Sequence, residues 1–77
     1  MTATQVLALS RARSLAATGE GRRIREAARL SLTEVAAAIG VERSTLHRWE
    51  IGDRRPRGDA AVRYVELLDD LREALPA

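Results

Sequence analysis

Cysteine is absent from this chain of 77 residues, and histidine occurs once. The lack of cysteine excludes a disulfide framework and every zinc site built on thiolate ligands. The single histidine has no partner ligands at useful spacing, so no metal site is expected. Apolar runs of membrane-spanning length are also missing, and the N-terminus lacks the basic segment and apolar core of a secretory signal. The expected location is therefore the cytoplasm, away from any membrane.

Recognisable catalytic arrangements are missing too. The sequence has no glycine-rich phosphate loop, no cysteine nucleophile and no credible set of serine, histidine and acid. We therefore expect a protein that is not an enzyme, needs no cofactor and has no apparent small-molecule ligand. Its length allows a single small domain over residues 1–77, with a core so small that regular helix packing or oligomerisation would help its stability.

Lysine is absent as well, and all thirteen cationic side chains are arginine. Residues 11–57 contain eleven arginines and six acids, whereas residues 58–77 contain two arginines and five acids. A basic body with an acidic tail favours an anionic partner bound on one face. Arginine suits forked hydrogen bonds to phosphate and guanine, although a GC-rich genome would also produce this bias.

Helix-forming residues dominate what is present. No segment alternates polar and β-branched residues, so the sequence predicts an all-α fold. Five helices are expected: one within residues 1–19, from about Ala3 to Ala17, and then one each at about residues 22–30, 32–39, 42–50 and 59–75.

Local signals place the ends of these helices. Ser31 and Glu34 have the spacing of a capping box, in which each side chain bonds the backbone amide of the other residue. Gly40 supplies the left-handed backbone that a tight turn before the next helix requires. The other end signals are Thr2 or Thr4 before the first helix, Gly19 or Gly21 after it, Gly52 after the fourth, and Asp59 and Pro76 at the start and end of the fifth.

Apolar residues recur at helical spacing, which predicts the face that each helix buries. On the fourth helix, Leu46 and Trp49 are expected to face inward. The other expected core positions are Val6, Leu7, Leu9, Ala12, Leu15, Ala16, Ile24, Ala27, Ala28, Leu30, Val35, Ala36, Ile39, Val41, Val62, Val65, Leu68, Leu71 and Leu75, with Ala61, Tyr64 and Leu67 beside the last stripe.

The two short helices around Gly40 have the pattern of a helix-turn-helix, in which one helix supports another in the DNA major groove. With Leu46 and Trp49 inward, the outer face of the second helix is polar and charged. The candidate base contacts there are Glu42, Arg43, Ser44, His47 and Arg48. Arginine can hold guanine O6 and N7 with two bonds, and an acid can accept from cytosine N4. Glu42 could equally be an acid that favours the helix dipole, and His47 an exposed neutral ring.

A run of arginines follows this helix directly. Arg54, Arg55 and Arg57 surround Pro56. Such a loop can contact the phosphate backbone and set register without reading sequence, although an ordinary charged turn is the alternative. Thr45 can donate to a phosphate in the same way.

Arg25 and Glu50 predict a structural contact. Glu50 closes the fourth helix, where an acid opposes the helix dipole. A nearby cation would remove that conflict, and Arg25 on the second helix is a suitable partner. We therefore expect the two side chains to pair inside the fold rather than to contact a ligand.

Together these residues resemble the Cro/cI-type (XRE-like) helix-turn-helix repressors of phages and bacteria. The resemblance covers about residues 22–58 without gaps and rests on Arg25, Ser31 with Glu34, Val35-Ala36, Ile39-Gly40-Val41, Ser44-Thr45-Leu46, Trp49-Glu50, Gly52 and Arg54-Arg55-Pro56. It implies a compact five-helix bundle of lambda-repressor-like type, here with an extra N-terminal helix and a long C-terminal helix. It also implies a transcriptional repressor, resembling a small Cro-like regulator or a short immunity repressor, that binds double-stranded operator DNA in the bacterial cytoplasm, usually as a homodimer.

Residue by residue, the resemblance also implies roles. Base reading falls to Arg43, Ser44 and Arg48, with Glu42 and His47 beside them. Backbone contact falls to Ser31 and to Arg54, Arg55 and Arg57 in the loop, and the internal pair to Arg25 and Glu50. Thr33 and Thr45 are also expected to contact the DNA backbone. The chain departs from the family at Leu32, where many members place a phosphate-binding glutamine. Its single long last helix is a second departure, which leaves the dimer interface open.

Two other functions remain open at this stage. An antitoxin-like or other protein-interaction module would reuse the fold, with the N-terminal segment or the acidic last helix serving as its binding element. An excisionase-type DNA-binding protein also begins with a segment like residues 33–41. That alternative needs a β-hairpin wing after the recognition helix, and residues 59–75 favour a helix instead.

Overall fold

The computed structural model describes residues 1–75 and is all-helical over that range. Its helices are α1 (Ala3–Ala17), α2 (Glu20–Ala27), α3 (Leu32–Ile39), α4 (Arg43–Glu50) and α5 (Gly58–Ala74). The predicted all-α fold is thereby confirmed. Because residues 58–74 form one helix, the wing that an excisionase needs is not present there. No helix in this part of the chain is both long and apolar enough to cross a membrane.

Capping boxes start two of the helices. At α1, Gln5 N–H donates to Thr2 Oγ1 at 3.1 Å, and Thr2 N–H donates to Gln5 Oε1 at 2.8 Å. At α3, Glu34 N–H donates to Ser31 Oγ at 3.0 Å, and Ser31 N–H donates to Glu34 Oε1 at 2.9 Å. The hydrogen bond from the Ser31 backbone is the main reason that the pKa of Glu34 lies below its usual value. The predicted box at α3 is present, and α3 has the predicted bounds.

The second helix differs from its prediction at both ends, since it covers residues 20–27 rather than 22–30. It begins earlier because Gly19, with φ 80°, turns the chain and its carbonyl accepts from Arg23 N–H. It ends earlier because Arg29 adopts a left-handed φ of 63°, which lets Leu30 N–H bond back to the Arg25 carbonyl. This is a Schellman-type stop in which arginine occupies the position usually held by glycine.

The core lies between α5 and the other helices, with α1 packed mainly along α5. Trp49 and Tyr64 meet edge to face at its centre, with ring centroids 5.4 Å apart. The buried hydrophobic residues are Ala12, Leu15, Ala16, Ile24, Val35, Ala36, Ile39, Leu46, Trp49, Ala61, Tyr64, Val65 and Leu68.

Several expected core positions are wrong. Val6 and Leu7 are 51% and 66% exposed, because burial on α1 begins only after its first two turns. Ala27 is exposed because the inward face of α2 continues from Ile24 to half-buried Ala28, one full turn later. On α5 the stripe is rotated by about one residue, so Val62 is only half-buried.

The start of α5 differs from its prediction. Its N-cap is Arg57, without a side-chain cap bond, and the helix starts at Gly58. The expected cap at Asp59 is therefore wrong, and Asp59 lies in the first turn, where its charge favours the helix dipole. The expected stop at Pro76 lies outside the described residues.

Tyr64 carries a buried hydroxyl with no hydrogen-bond partner among residues 1–75. An unsatisfied hydroxyl costs about 1–3 kcal/mol, so Tyr64→Phe is expected to leave the free energy of unfolding unchanged or to raise it by about 1 kcal/mol. Urea denaturation followed by Trp49 fluorescence measures this. A loss above about 1 kcal/mol would show that the hydroxyl has a stabilising partner.

The same residue predicts how stability depends on high pH. Burial raises the pKa of Tyr64 to about 12, from about 10 in an unfolded chain. Because the folded pKa is the higher one, the neutral ring stabilises the fold fully below about pH 10, and this contribution is lost as pH rises towards 12. Tyr64→Phe should remove the part of the stability loss at alkaline pH that comes from ionisation of Tyr64. Tyr64 is the sole tyrosine, so ultraviolet absorbance reports its titration directly.

Candidate nucleic-acid interface

A tight turn joins α3 to α4 and fixes their relative orientation. Gly40 has φ 75°, and the Val41 N–H donates to the Ala36 carbonyl at 3.0 Å. Leu46 is fully buried and Trp49 is 3% exposed, so the back of α4 is held in the core. This anchoring leaves the opposite side of α4 facing outward as a rigid surface.

The five candidate base contacts lie on that outward face. Glu42 is the N-cap of α4, without a side-chain cap bond, and the other four belong to the helix itself. All five are exposed: Glu42, Arg43, Ser44, His47 and Arg48. Of these five, only Arg48 forms an ion pair within residues 1–75, since its Nε lies 4.0 Å from Asp53 Oδ2. An exposed pair at that distance is worth little, so Arg48 remains available to a ligand.

Beside this face lies a cavity of about 370 Å³ that follows α4, here called the arginine cleft. Its lining contains five arginines and no acidic residue. The lining residues are Arg13, Thr45, Arg48, Trp49, Arg54, Arg55 and Arg57. Such a concentration of fixed positive charge attracts anions, and forked guanidinium donors match the oxygens of a phosphate.

The loop that carries three of these arginines is held at both ends. Gly52 has φ 81°, and the N–H groups of Asp53 and Arg54 both donate to the Arg48 carbonyl, at 2.9 and 3.2 Å. Pro56 is fully buried, and its carbonyl accepts a hydrogen bond from Arg13 Nε at 3.0 Å. The arginine side chains of the loop are therefore exposed on a backbone that is anchored to the rest of the fold.

Arg13 is the residue that the sequence argument missed. It belongs to α1, and only the folded chain brings it against a loop 43 positions away. Its sequence neighbourhood carries no motif. The one available signal is its place beside Ala12, which is fully buried and therefore puts Arg13 at the edge of the packed face.

Two of the expected backbone contacts lie elsewhere. Ser31 and Thr33 are exposed at the start of α3, and neither lines the arginine cleft. The Ser31 oxygen already accepts the Glu34 amide, which leaves the hydroxyl hydrogen free to donate. Thr45, by contrast, is half-buried on α4 and joins Arg48 in the cleft lining.

Arg25 and Glu50 form a bidentate pair inside the fold. Arg25 Nε and Nη2 donate to the two carboxylate oxygens of Glu50 at 2.7 and 2.8 Å, and Nη1 donates to the Leu30 carbonyl at 2.9 Å. The two side chains are only 11% and 3% exposed. The hydrogen bonds to Glu50 hold the pKa of Arg25 above its usual value. The pair ties the end of α4 to α2 and faces away from solvent.

Residues 1–75 contain no group of three or more histidine, cysteine or acidic side chains placed to hold a metal ion.

Comparison with known protein families identifies the type of domain. A family profile described as a helix-turn-helix domain matches residues 22–75. That segment contains α3, α4 and α5 and most of α2, and it leaves α1 outside. No curated protein and no solved structure gives a significant match to the chain.

Proposed function

The chain belongs to the helix-turn-helix domain family, whose members bind DNA, and from this membership we propose that it is a sequence-specific transcriptional regulator. The proposed type is a Cro/cI-like (XRE-like) repressor that binds double-stranded operator DNA in the cytoplasm of a bacterial cell. The observation that carries the proposal is the position of the outward face of α4 directly beside the arginine cleft. The outward face of α4 supplies groups that can read bases, and the arginine cleft supplies cations for phosphates.

In this proposal α4 enters the major groove. Arg43 and Arg48 each bond O6 and N7 of a guanine, and Ser44 bonds a base edge beside them. Glu42 accepts from a cytosine amino group, and His47 donates to a base or a neighbouring phosphate. The support is that all five side chains are exposed while Leu46 and Trp49 hold the helix from behind, as a groove-reading helix requires.

Backbone phosphates are assigned to two places. Arg54, Arg55, Arg57 and Thr45 contact one strand from the arginine cleft and loop. Ser31 and Thr33 contact a phosphate at the start of α3, where free backbone N–H groups and the helix dipole favour an anion. Contacts on both sides of α4 would fix its register in the groove. Two copies of the chain, bound as a homodimer, would then read a near-palindromic operator.

The test of this function is selection of binding sites from random DNA duplexes. A regulator of this type should enrich a near-palindromic site with half-sites about 10 bp apart or a multiple of that spacing. A single half-site would keep the regulator and reject the homodimer. No enriched site, with only weak and strongly salt-dependent binding, would reject sequence-specific regulation and favour a protein partner instead.

Base reading by α4 predicts a particular pattern of losses. Arg43→Ala and Arg48→Ala should each weaken binding to the selected site by about 1–3 kcal/mol and relax the preference at one base pair. Arg54→Ala should instead weaken binding to all sequences and lower the salt slope by about one. Fluorescence anisotropy on selected and scrambled duplexes measures both effects. Equal losses on the two duplexes for Arg43→Ala and Arg48→Ala would show that α4 does not read bases.

A matched control for these variants is Arg11→Ala. Arg11 is also exposed, but it pairs with Asp69 on α5 and does not line the arginine cleft. Arg11→Ala removes the same charge from the protein, so any general effect of net charge on DNA binding appears in this variant as well. Its base preference should stay as in the unchanged chain.

A further inference from the structure

The N-terminal helix α1 lies outside the segment that matches the family, yet it reaches the arginine cleft. We propose that Arg13 of α1 is both a phosphate ligand and a positioning residue of the DNA interface. Its Nε holds the loop, and its terminal amino groups bind a backbone phosphate in the cleft. This inference rests on the proposed function, because the phosphate is assigned to DNA.

The positioning role follows from the hydrogen bond to Pro56. Arg13 Nε donates to the Pro56 carbonyl at 3.0 Å, and Pro56 itself is fully buried. This carbonyl lies on the backbone between Arg55 and Arg57, both of which are exposed and line the cleft. Fixing it limits the motion of the two side chains on either side, so that less entropy is lost when they meet a phosphate.

The ligand role follows from the donors that Arg13 has left. A guanidinium group carries five N–H donors, and within residues 1–75 only the one on Nε has a partner. The two terminal amino groups remain, and Arg13 lines the same cleft as Arg48, Arg54, Arg55 and Arg57. Because no acidic residue lines the cleft and Asp53 pairs only with Arg48 among its cations, a bound anion would relieve the repulsion among them.

The surroundings of Arg13 include further open space next to the arginine cleft. A second, smaller cavity of about 70 Å³ lies where α1 meets the loop. Ala16 and Ala17 of α1 line it together with Arg13, and the other lining residues are Trp49, Gly52, Arg54, Arg55 and Pro56. Small side chains on α1 therefore leave open space on the α1 side of the loop, so that a bound backbone can approach Arg13 from there.

Arg11 provides a matched control on the same helix. Its guanidinium group binds Asp69 through two hydrogen bonds, at 3.0 and 2.6 Å, and it does not line the cleft. Arg11→Gln and Arg13→Gln thus remove the same charge from the same helix. Only Arg13→Gln removes a donor from the cleft.

The first experiment measures affinity for the selected duplex as a function of salt. Arg13→Gln should weaken binding about tenfold, as expected for a lost hydrogen bond to a charged group, and lower the salt slope by about one. Arg11→Gln should keep the slope of the unchanged chain. Arg13→Lys keeps the charge but has a single amino group, so it should also lose most of the affinity. Equal salt slopes for Arg11→Gln and Arg13→Gln would overturn the role of Arg13 as a phosphate ligand. Full affinity of Arg13→Lys would overturn the proposal that Arg13 holds the loop and binds phosphate at the same time.

A second experiment uses inorganic phosphate and does not depend on DNA. Titration with phosphate, followed by NMR, should shift the backbone amides of residues 52–55 and 57, and Arg13→Gln should abolish these shifts while Arg11→Gln preserves them. If the unchanged chain binds no DNA but shows these Arg13-dependent shifts, the proposed function fails and the phosphate site stands. If operator binding is strong but Arg13→Gln alters neither the slope nor the phosphate shifts, the function stands and this inference is wrong. Thermal unfolding of each variant confirms that it is folded.

Discussion

Replacing Glu50 by alanine is expected to lower the free energy of unfolding by about 3–5 kcal/mol, because it leaves the Arg25 charge buried and unpaired. Glu50 is 3% exposed and holds Arg25 through both carboxylate oxygens. A chain of 77 residues has a total stability of roughly 4–12 kcal/mol, so this loss removes a large share of it. Urea denaturation followed by circular dichroism and Trp49 fluorescence measures the loss.

Three further variants separate the causes of this loss. Glu50→Gln keeps the shape and one acceptor, so its loss should be smaller. Arg25→Met combined with Glu50→Leu removes both charges and should recover much of the stability, as buried pairs replaced by apolar residues often do. Asp69→Ala breaks the exposed pair with Arg11 and should cost below about 1 kcal/mol. A loss for Glu50→Ala no larger than that for Asp69→Ala would show that the buried pair does not hold α4 to α2.

Sequence reasoning worked best where the deciding interaction is local. The bounds of α3 follow from two residues three positions apart, Ser31 and Glu34, and from the glycine that ends the helix. The outward face of α4 follows in the same way, because Leu46 and Trp49 fix which side is buried. Neither result requires knowledge of what the helix packs against.

The errors arise where a distant contact decides. Of the two glycines expected to end the first helix, Gly19 does follow α1, whereas the alternative Gly21 lies inside α2, beside the Tyr64 hydroxyl. Val6 and Leu7 continue the apolar pattern of α1 but extend beyond the part of the helix that other elements cover. Arg29 adopts a left-handed conformation, which glycine and asparagine adopt far more readily than arginine. In each case local preference is overruled by packing or by the path of the chain.

The candidate site also has a part that is local in sequence and a part that depends on a distant contact. The residues of α4 and of the loop at 54–57 are contiguous in sequence, so their pattern is visible before folding. Arg13 joins them only because α1 packs along α5 and ends near the loop, and no local signal reports that geometry. Sequence therefore predicted the part of the interface that one motif carries and missed the part contributed by an extra helix.

Gly21→Ala is expected to destabilise the fold by about 3 kcal/mol, near the upper end for an overpacked core. Helix propensity alone predicts the opposite sign, since alanine in a helix interior is more stable than glycine by about 1 kcal/mol. Packing should prevail, because a methyl group at Gly21 would overlap the Tyr64 hydroxyl and lie 3.4 Å from the Leu15 carbonyl oxygen. Tyr64 is 1% exposed and packed against Trp49, so it has little room to move.

The overlap can be tested by removing the atom that causes it. In a Tyr64→Phe background the hydroxyl is gone, and Gly21→Ala should cost less, although the methyl group would still lie 3.2 Å from the Cζ atom of the ring. The double variant should therefore be more stable than the sum of the single changes predicts, with a coupling of about 1–2 kcal/mol measured by urea denaturation. Additive effects would mean that Gly21→Ala acts through something other than Tyr64. A stabilising Gly21→Ala would mean that helix propensity prevails and that α2 and α5 can separate enough to admit a methyl group.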